Sequence, residues 1–332
     1  MHIKTLLAMF LFAFVFVSCT NNEAKEEVVI YTSVDQVFSS QILKEFERET
    51  GILVKAVYDT EATKAVGLEK RLYQEMKHPK ADIFWNSENL RSARLDAYDI
   101  FLKQPTKVKL YEHNNSKYIS KKMTLFGMGI RSRVFIVNTD LMDENAYPTK
   151  LEDLIDPKYK GKVAICSPLF GTASAQFAAL YAKWGEKRFI KFLKALKANN
   201  VAILSGNSNV KDAVGRGEYL FGLVDTDDAL VGIEQNLPLE MLYYGESGEG
   251  MFALYQTIGI LKNGPNTKVA HKLFDYLLSA KIEDKLIKMN AVQFPILSQK
   301  QIHKEPLLWS LAPEKTATYI KPSSELVRKY LD

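Results

Sequence analysis

Short apolar runs alternate with stretches of helical period along most of the chain. Residues 28–31 form a β-rich run, followed by the polar loop Thr32-Ser33-Val34-Asp35-Gln36. Phe38, Ile42, Leu43 and Phe46 then recur at helical spacing until Glu49-Thr50-Gly51 ends that helix. Residues 52–58 predict a second strand, Asp59-Thr60-Glu61 a loop, and residues 63–76 a helix carried by Val66, Leu68, Leu72 and Tyr73. A third strand at 82–85 ends in Asn86-Ser87-Glu88-Asn89. Such a β-α-β-α-β series predicts a parallel sheet with helices on its faces. Its three polar loops then gather at one sheet edge, where open α/β folds bind ligands.

The second half repeats the alternation. Residues 125–138 predict a long strand, residues 151–154 and 156–161 a short helix and turn, and residues 163–166 a strand. A loop then leads into a helix through Leu180, followed by a basic amphipathic helix at 189–198, a strand at 201–204 and a helix at 209–216. Further strands are expected at 219–224 and 253–261, an extended segment at 238–244, and helices at 266–279, 282–289 and 323–331. This plan is two α/β lobes, with the chain crossing between them near 125–138 and 252–261.

Two polar stretches stand out against this pattern. The strand at 219–224 ends in three carboxylates within four residues: Asp225, Asp227 and Asp228. They repel one another unless solvated, protonated or facing a cation. Asp225 reads as the N-cap of the following helix. The helix starting near Gly171, Thr172 and Ser174 opens on small and hydroxyl residues, which suit an anion because unpaired N–H groups and the helix dipole point at it. A capped helix with no ligand would have the same sequence.

Composition and the chain's start narrow the class. Lys4 precedes an apolar stretch at 6–17 that is too short for a comfortable membrane span, and small Ser18 and Cys19 bound it. Residues 1–18 therefore read as a signal peptide. Phe16-Val17-Ser18-Cys19 resembles a bacterial lipobox, with Phe16 where Leu is usual, which implies lipidation of Cys19 and a polar tether over 19–27. The remaining stretch, about 305 residues, is enough for about two domains. A hydrophobic fraction of 47% and a charged fraction of 25% are those of a soluble globular protein. The net charge of +5 is spread along the chain with no basic stripe, which argues against nucleic acid. Past Cys19, Cys166 stands alone, so a disulfide framework is excluded. His78, His113, His271 and His303 lie off the ligand loops and are not paired at metal spacing, which disfavours zinc.

Many segments together resemble the periplasmic solute-binding proteins of ferric-iron and related ABC importers. They are Ile30-Tyr31-Thr32-Ser33, Glu49-Thr50-Gly51, Tyr58-Asp59-Thr60-Glu61-Ala62, Ala81-Asp82-Ile83-Phe84-Trp85 and Asn138-Thr139-Asp140-Leu141. Residues 156–164, Pro168-Leu169-Phe170-Gly171-Thr172, and Gly217-Glu218 leading into Asp225-Thr226-Asp227-Asp228 continue the likeness. The resemblance implies a type II-like two-lobed α/β fold with the ligand cleft between the lobes. The expected lobes are residues 28–124 with 257–300, and residues 125–256 with 301–332.

The same likeness implies a monomeric binding component that hands a small ligand to a permease and its ATPase, held at the membrane through a lipid anchor, with no catalytic cofactor. In iron-binding relatives an adjacent tyrosine pair follows the last of these strands; here those positions are Asp227 and Asp228. The relatives' histidine falls at or beside Asp35, their glutamate at Glu88, and their anion site at Gly171, Thr172 and Ser174. Asp35, Glu88, Asp227 and Asp228 could still hold a hard cation such as ferric iron, completed by a synergistic anion. Alternatively the carboxylates accept hydrogen bonds from an organic ligand whose phosphate, phosphonate or carboxylate sits at the helix start. In either case Ser33, Asp35, Tyr58, Glu61 and Glu88 would face Gly171, Thr172, Ser174, Asp225, Asp227 and Asp228 across the cleft. A two-lobed enzyme using Cys166 is the remote alternative, and it lacks a local histidine as base.

Overall fold

The computed structural model describes residues 25–59, 66–111, 113–245, 249–298 and 306–331. The expected signal peptide, Cys19 and Glu61 lie outside the described residues. In chain order the elements are β1 (Glu27–Thr32), α1 (Gln36–Thr50), β2 (Leu53–Tyr58), α2 (Val66–Glu75), β3 (Ile83–Asn86), α3 (Asn89–Asp96) and β4 (Phe126–Asn138). They continue as β5 (Val163–Cys166), α4 (Gly171–Ala198), β6 (Ala202–Leu204), α5 (Asn207–Gly215), β7 (Phe221–Asp225), α6 (Thr226–Glu234) and β8 (Leu239–Leu242). The last are β9 (Met251–Ile260), α7 (Thr267–Leu277), α8 (Ala280–Lys288), β10 (Leu308–Trp309), α9 (Pro313–Thr316) and α10 (Ile320–Tyr330).

The strands order as β2-β1-β3-β9-β4-β7-β5-β6, with β10 added to β9 and β8 to β4. β1, β2 and β3 are parallel, as are β5, β6 and β7. The two groups are joined through β9 and β4, which run antiparallel to each other, with β9 antiparallel to β3 and β4 antiparallel to β7. β4 pairs with β9 over its first half and with β7 and β8 over its second. It is thus one continuous strand shared by both lobes, and β9 is the other shared strand. This is a two-lobed α/β fold. The reason lies in the sequence: β3, β4, β5, β7 and β9 are buried along their whole length, as strands covered by helices on both faces must be.

Each lobe has its own apolar cluster. Phe38, Ile42 and Phe46 of α1 pack with Leu273 and Phe274 of α7 under β1, β3 and β9. Phe177 and Phe192 of α4 pack with Phe135, Phe221 and Val327 in the second lobe. A smaller, alanine-rich cluster lies where the lobes meet: Leu90 and Ala93 of α3, Ala175, Ala178 and Ala179 of α4, and Ala317 and Ile320 near the C-terminus. Small side chains let α3 and α4 each pack on the segment at 313–319 there. Among the described residues no helix is long and apolar enough to cross a membrane.

The two helices expected around Leu180 and at 189–198 are both present within α4 and meet at Gly185, whose φ of 76° and ψ of 167° are not helical. One difference from the sequence pattern has a physical cause. α3 was not expected: its sequence, Asn-Leu-Arg-Ser-Ala-Arg-Leu-Asp, has no clean apolar stripe, because Arg91 is buried in an ion pair and Arg94 is half-buried in another.

Candidate functional site

The β7 terminus delivers the three carboxylates together. Carboxylate oxygens of Asp225, Asp227 and Asp228 lie within 4.8 Å of one another. Asp225 and Asp227 are buried and Asp228 is half-buried. What makes this crowding tolerable is β4, on which Arg131 and Arg133, two residues apart, project to the same face. Arg133 and Asp225 are direct cross-strand partners in the β4–β7 register.

Asp225 stands at the N-cap position of α6, but its side chain makes no capping hydrogen bond. It instead accepts from Arg133 Nη1 at 2.8 Å and from Thr172 Oγ1 at 2.7 Å, with Arg131 Nη1 3.6 Å away. The expected capping role is therefore corrected: a buried guanidinium outcompetes a backbone N–H for the carboxylate. Burial pushes the Asp225 carboxyl up, but Arg133 and Arg131 outweigh it and hold the group below the usual carboxylate range. Burial likewise opposes the charge on Arg131, and Asp227, Asp225 and Asp35 together more than restore it.

Arg131 also ties the lobes. Its Nη1 pairs with Asp227, and its Nη2 donates to the Ser87 carbonyl at 3.1 Å, in the loop after β3. Asp228 accepts from Ser208 Oγ at 2.9 Å. Arg133 fans out further, to Asn207 Oδ1 at 2.8 Å, the Leu223 carbonyl at 3.0 Å and Gln176 Oε1 at 3.2 Å.

From the first lobe, Ser33 is buried and bonded to Asn86 Oδ1 at 2.5 Å and Ser87 Oγ at 3.1 Å, which fixes the loop after β1 to the loop after β3. Asp35 precedes α1, and its charge acts on Arg131. Tyr58 ends β2, with its phenol raised by burial. Glu88 points inward and is fully buried. Its carboxylate caps α3, taking Leu90 N–H at 2.6 Å and Arg91 N–H at 3.0 Å, and burial raises its pKa. In this arrangement both Glu88 oxygens serve the helix start.

The start of α4 forms the opposite wall. Gly171 takes φ +49°, and the N-cap residue Phe170 supplies no side-chain acceptor to the first turn. Thr172 gives its hydroxyl to Asp225, while Ser174 Oγ accepts from Arg91 Nη2 at 2.9 Å and the Gly171 carbonyl from Arg91 Nη1 at 3.2 Å. Arg91 thus reaches from α3 of the first lobe into the first turn of α4. A cavity of about 20 Å³ remains here, lined by Thr172, Ala173, Ser205, Asn207, Asp225 and Cys166, among others. It has room for about one small group the size of a water molecule. What this helix start offers a ligand is its backbone N–H groups rather than its hydroxyls.

Cys166 is buried, its Sγ lies 2.8 Å from Asn207 Oδ1, and burial pushes its thiol up to about 11. A protonated, enclosed thiol is no nucleophile, so the remote enzyme alternative fails on its own chemistry. Tyr244 of the tyrosine pair at 243–244 is buried behind the site, where its hydroxyl accepts from Gln176 at 3.3 Å.

Sequence reasoning found the carboxylates and missed Arg91, Arg131 and Arg133. A signal existed: Arg-x-Arg inside a thirteen-residue strand that is otherwise mostly apolar is costly unless partnered.

The sequence profile of the Bacterial extracellular solute-binding protein family matches residues 79–310. The chain belongs to this family. Iron uptake protein A1 of a Synechocystis species is 26% identical over 292 residues, covering 84% of this chain and 78% of the relative. A putative 2-aminoethylphosphonate-binding periplasmic protein of Salmonella typhimurium is 24% identical over 254 residues, covering 74% and 70%. Among solved structures, iron-bound HitA from Pseudomonas aeruginosa superposes with a TM-score of 0.80 at 21% identity, covering 92% of this chain and 99% of HitA. As an extracellular solute-binding protein this chain is the substrate-binding component of an ABC importer, and it binds its substrate without transforming it.

Proposed function

We propose that this solute-binding protein captures ferric iron together with a small synergistic anion, and delivers it to its permease by closing the two lobes. The observation that carries this reading is the convergence of Asp225, Asp227 and Asp228 within 4.8 Å, beside the uncapped start of α4. Carboxylates are hard oxygen donors suited to a hard cation. The charge balance agrees. Four carboxylates (Asp35, Asp225, Asp227 and Asp228) face two guanidiniums (Arg131 and Arg133), leaving two negative charges. A ferric ion with one singly charged anion neutralises that surplus. Asp35, Asp227 and Asp228 are the donors this reading uses; Asp225 stays with Arg133, Glu88 with α3, and the anion lies at the N–H groups of Gly171, Thr172 and Ala173. Ser33, Tyr58 and Glu61 would shape the first-lobe wall, with Thr172 and Ser174 opposite.

Bridging contacts exist only when the lobes are together, so a ligand that makes them shifts the population towards closure. The lobes would comprise residues 28–124 with 257–300 and residues 125–256 with 301–332; the two separate apolar clusters support two lobes, although Phe126, Met128, Ile130, Ala253 and Tyr255 pack with the first. We further infer a monomer tethered by a lipidated Cys19 after removal of residues 1–18; several acyl chains hold firmly where one does so only marginally.

A second reading is favoured by Arg131. Its pairing with Asp227 already supplies a cation to the carboxylates, as a ligand ammonium would, and one relative is named for 2-aminoethylphosphonate. In that reading an organic phosphonate or phosphate sits at the α4 start. Native mass spectrometry with metal analysis, on protein purified from its own host, separates the two. Bound iron sinks the organic-anion reading, and a metal-free protein carrying a phosphorus compound sinks the iron reading.

A further inference from the structure

Beyond Gly185, α4 buries Phe189, Phe192, Leu193 and Leu196 in the second-lobe core and leaves Lys187, Lys191, Lys194 and Lys197 exposed. Lys187, Lys191 and Lys194 fall at i, i+4 and i+7, so they form one stripe opposite the buried face. α10 packs beside α4, with Val327 in the same core, and adds Arg328 and Lys329 at exposed positions. The two sets of cations meet at Tyr330: Lys194 Nζ lies 5.1 Å from its ring centroid and Lys329 Nζ 5.2 Å.

The charge of this face does not cancel. Lys183 is paired with Glu249, Arg188 with Glu152 and Lys321 with Glu325. Among the described residues, none of Lys187, Lys191, Lys194, Lys197, Arg328 and Lys329 forms an ion pair with a carboxylate. On the two helix segments these six cations meet one further carboxylate, Glu186. Asp332, outside the described residues, and a terminal carboxylate after it would still leave an excess of three positive charges.

The partner follows from what this face lacks. The exposed large apolar side chains among the described residues all lie elsewhere in the chain, whereas protein interfaces are built on apolar and aromatic cores depleted in lysine. Five of the six cations are lysines. Point charges on flexible stems suit mobile headgroups, while the fixed carboxylates of a protein favour the planar fork of arginine. We propose that this face of α4 and α10 docks on the anionic headgroups of a phospholipid bilayer, by charge alone and without insertion. It lies on the half of α4 remote from Gly171, so docking leaves the ligand site free. The inference uses neither the assignment of the ligand nor the lipidation of Cys19.

The test is vesicle co-sedimentation of residues 19–332, which retain both apolar clusters, carrying Cys19→Ala so that no acyl chain contributes. The protein binds phosphatidylcholine vesicles containing phosphatidylglycerol, does not bind phosphatidylcholine alone, and is released when salt rises from roughly 50 to roughly 500 mM. Lys187→Gln, Lys191→Gln, Lys194→Gln and Lys329→Gln together weaken binding by at least about 25-fold, the worth of two lysines at about fivefold each. Lys44→Gln, Lys70→Gln, Lys268→Gln and Lys288→Gln, exposed on first-lobe helices, change net charge equally and weaken it by less than about fivefold. Circular dichroism and thermal unfolding confirm that both sets fold. Failure to bind the anionic vesicles, binding that survives high salt, or equal loss in the two sets overturns the proposal. Retention on immobilised polyglutamate without vesicle binding reassigns the face to an acidic protein and overturns the bilayer as its partner.

Discussion

Arg133→Met takes away the cation opposite Asp225. In the native protein the guanidinium is fully buried and bonded to Asp225 Oδ1 and Asn207 Oδ1, each at 2.8 Å, to the Leu223 carbonyl at 3.0 Å and to Gln176 at 3.2 Å. In the variant, Asp225 keeps only Thr172 Oγ1 at 2.7 Å and Arg131 at 3.6 Å. Breaking a buried ion pair from one side costs about 3–5 kcal/mol, because the surviving charge stays buried. With an unfolding entropy of about 2.1 cal/mol/K per residue over roughly 300 residues, each kcal/mol moves Tm by about 1.6 °C, so Tm falls by about 5–8 °C. The double variant Arg133→Met with Asp225→Leu removes both charges and recovers most of the loss.

The deficit depends on pH with a defined sign. The native Asp225 carboxyl titrates below the usual range. Its stabilisation is therefore present above its unfolded value of about 3.9 and is lost as pH falls through the lower folded value. In Arg133→Met that advantage is reduced at neutral pH, so the gap to wild type is largest at neutral pH and narrows on acidification. Scanning calorimetry of wild type, single and double variants at neutral and acidic pH measures all of this. A drop below about 2 °C in the single variant, or a double variant no more stable than the single one, refutes the account of Arg133 and Asp225 as a compensated buried pair.

Asp227→Asn with Asp228→Asn is expected to abolish the thermal stabilisation produced by ferric citrate while the far-UV circular dichroism stays native; stabilisation that persists removes these carboxylates from the site. Glu283 accepts backbone N–H groups from Gly129, Ile296, Leu297 and Ser298, and burial raises its pKa. Its raised folded value favours stability below the unfolded pKa and loses it as pH rises. Glu283→Gln, which presents an N–H₂ to some of those donors, is therefore destabilised by about 1–3 kcal/mol, and denaturant titrations across pH should show the gap to wild type narrowing from pH 4 towards 7. Gly129 sits at the β4 bulge with φ +56°, and an added Cβ would lie 2.6 Å from Val292 Cγ2. Gly129→Ala is expected to cost about 1–3 kcal/mol in urea unfolding; combining it with Val292→Ala relieves the clash but not the backbone strain, and complete rescue would show that strain contributes nothing.

Much of the architecture was open to reading before any coordinates. The alternation of apolar runs and helical spacings located β1 to β3, and Gly51, with φ 74°, ends α1 where expected. The long shared strand at 126–138 and the carboxylates at the end of β7 also lie where the pattern put them. These features are local: period, caps and strand termini depend on neighbours within a few residues. The partners of the charged groups are not local. Arg133 and Asp225 are 92 residues apart, Arg131 and Asp227 are 96, and Arg91 and Ser174 are 83.

A capping rule applied to Asp225 sees only the helix it precedes, so it assigned the carboxylate to a backbone N–H that a guanidinium from another strand outbids. The same blindness hid α3, whose arginines look solvent-facing until Glu69 and Glu88 are brought beside them. By itself the sequence determined the two-lobed α/β plan and the place of the acidic wall, because both follow from short-range periodicity and strand ends. Only the tertiary structure decided which carboxylates are neutralised by buried arginines, because that balance is set by desolvation and by charges that meet only when β4, β7 and α4 pack together.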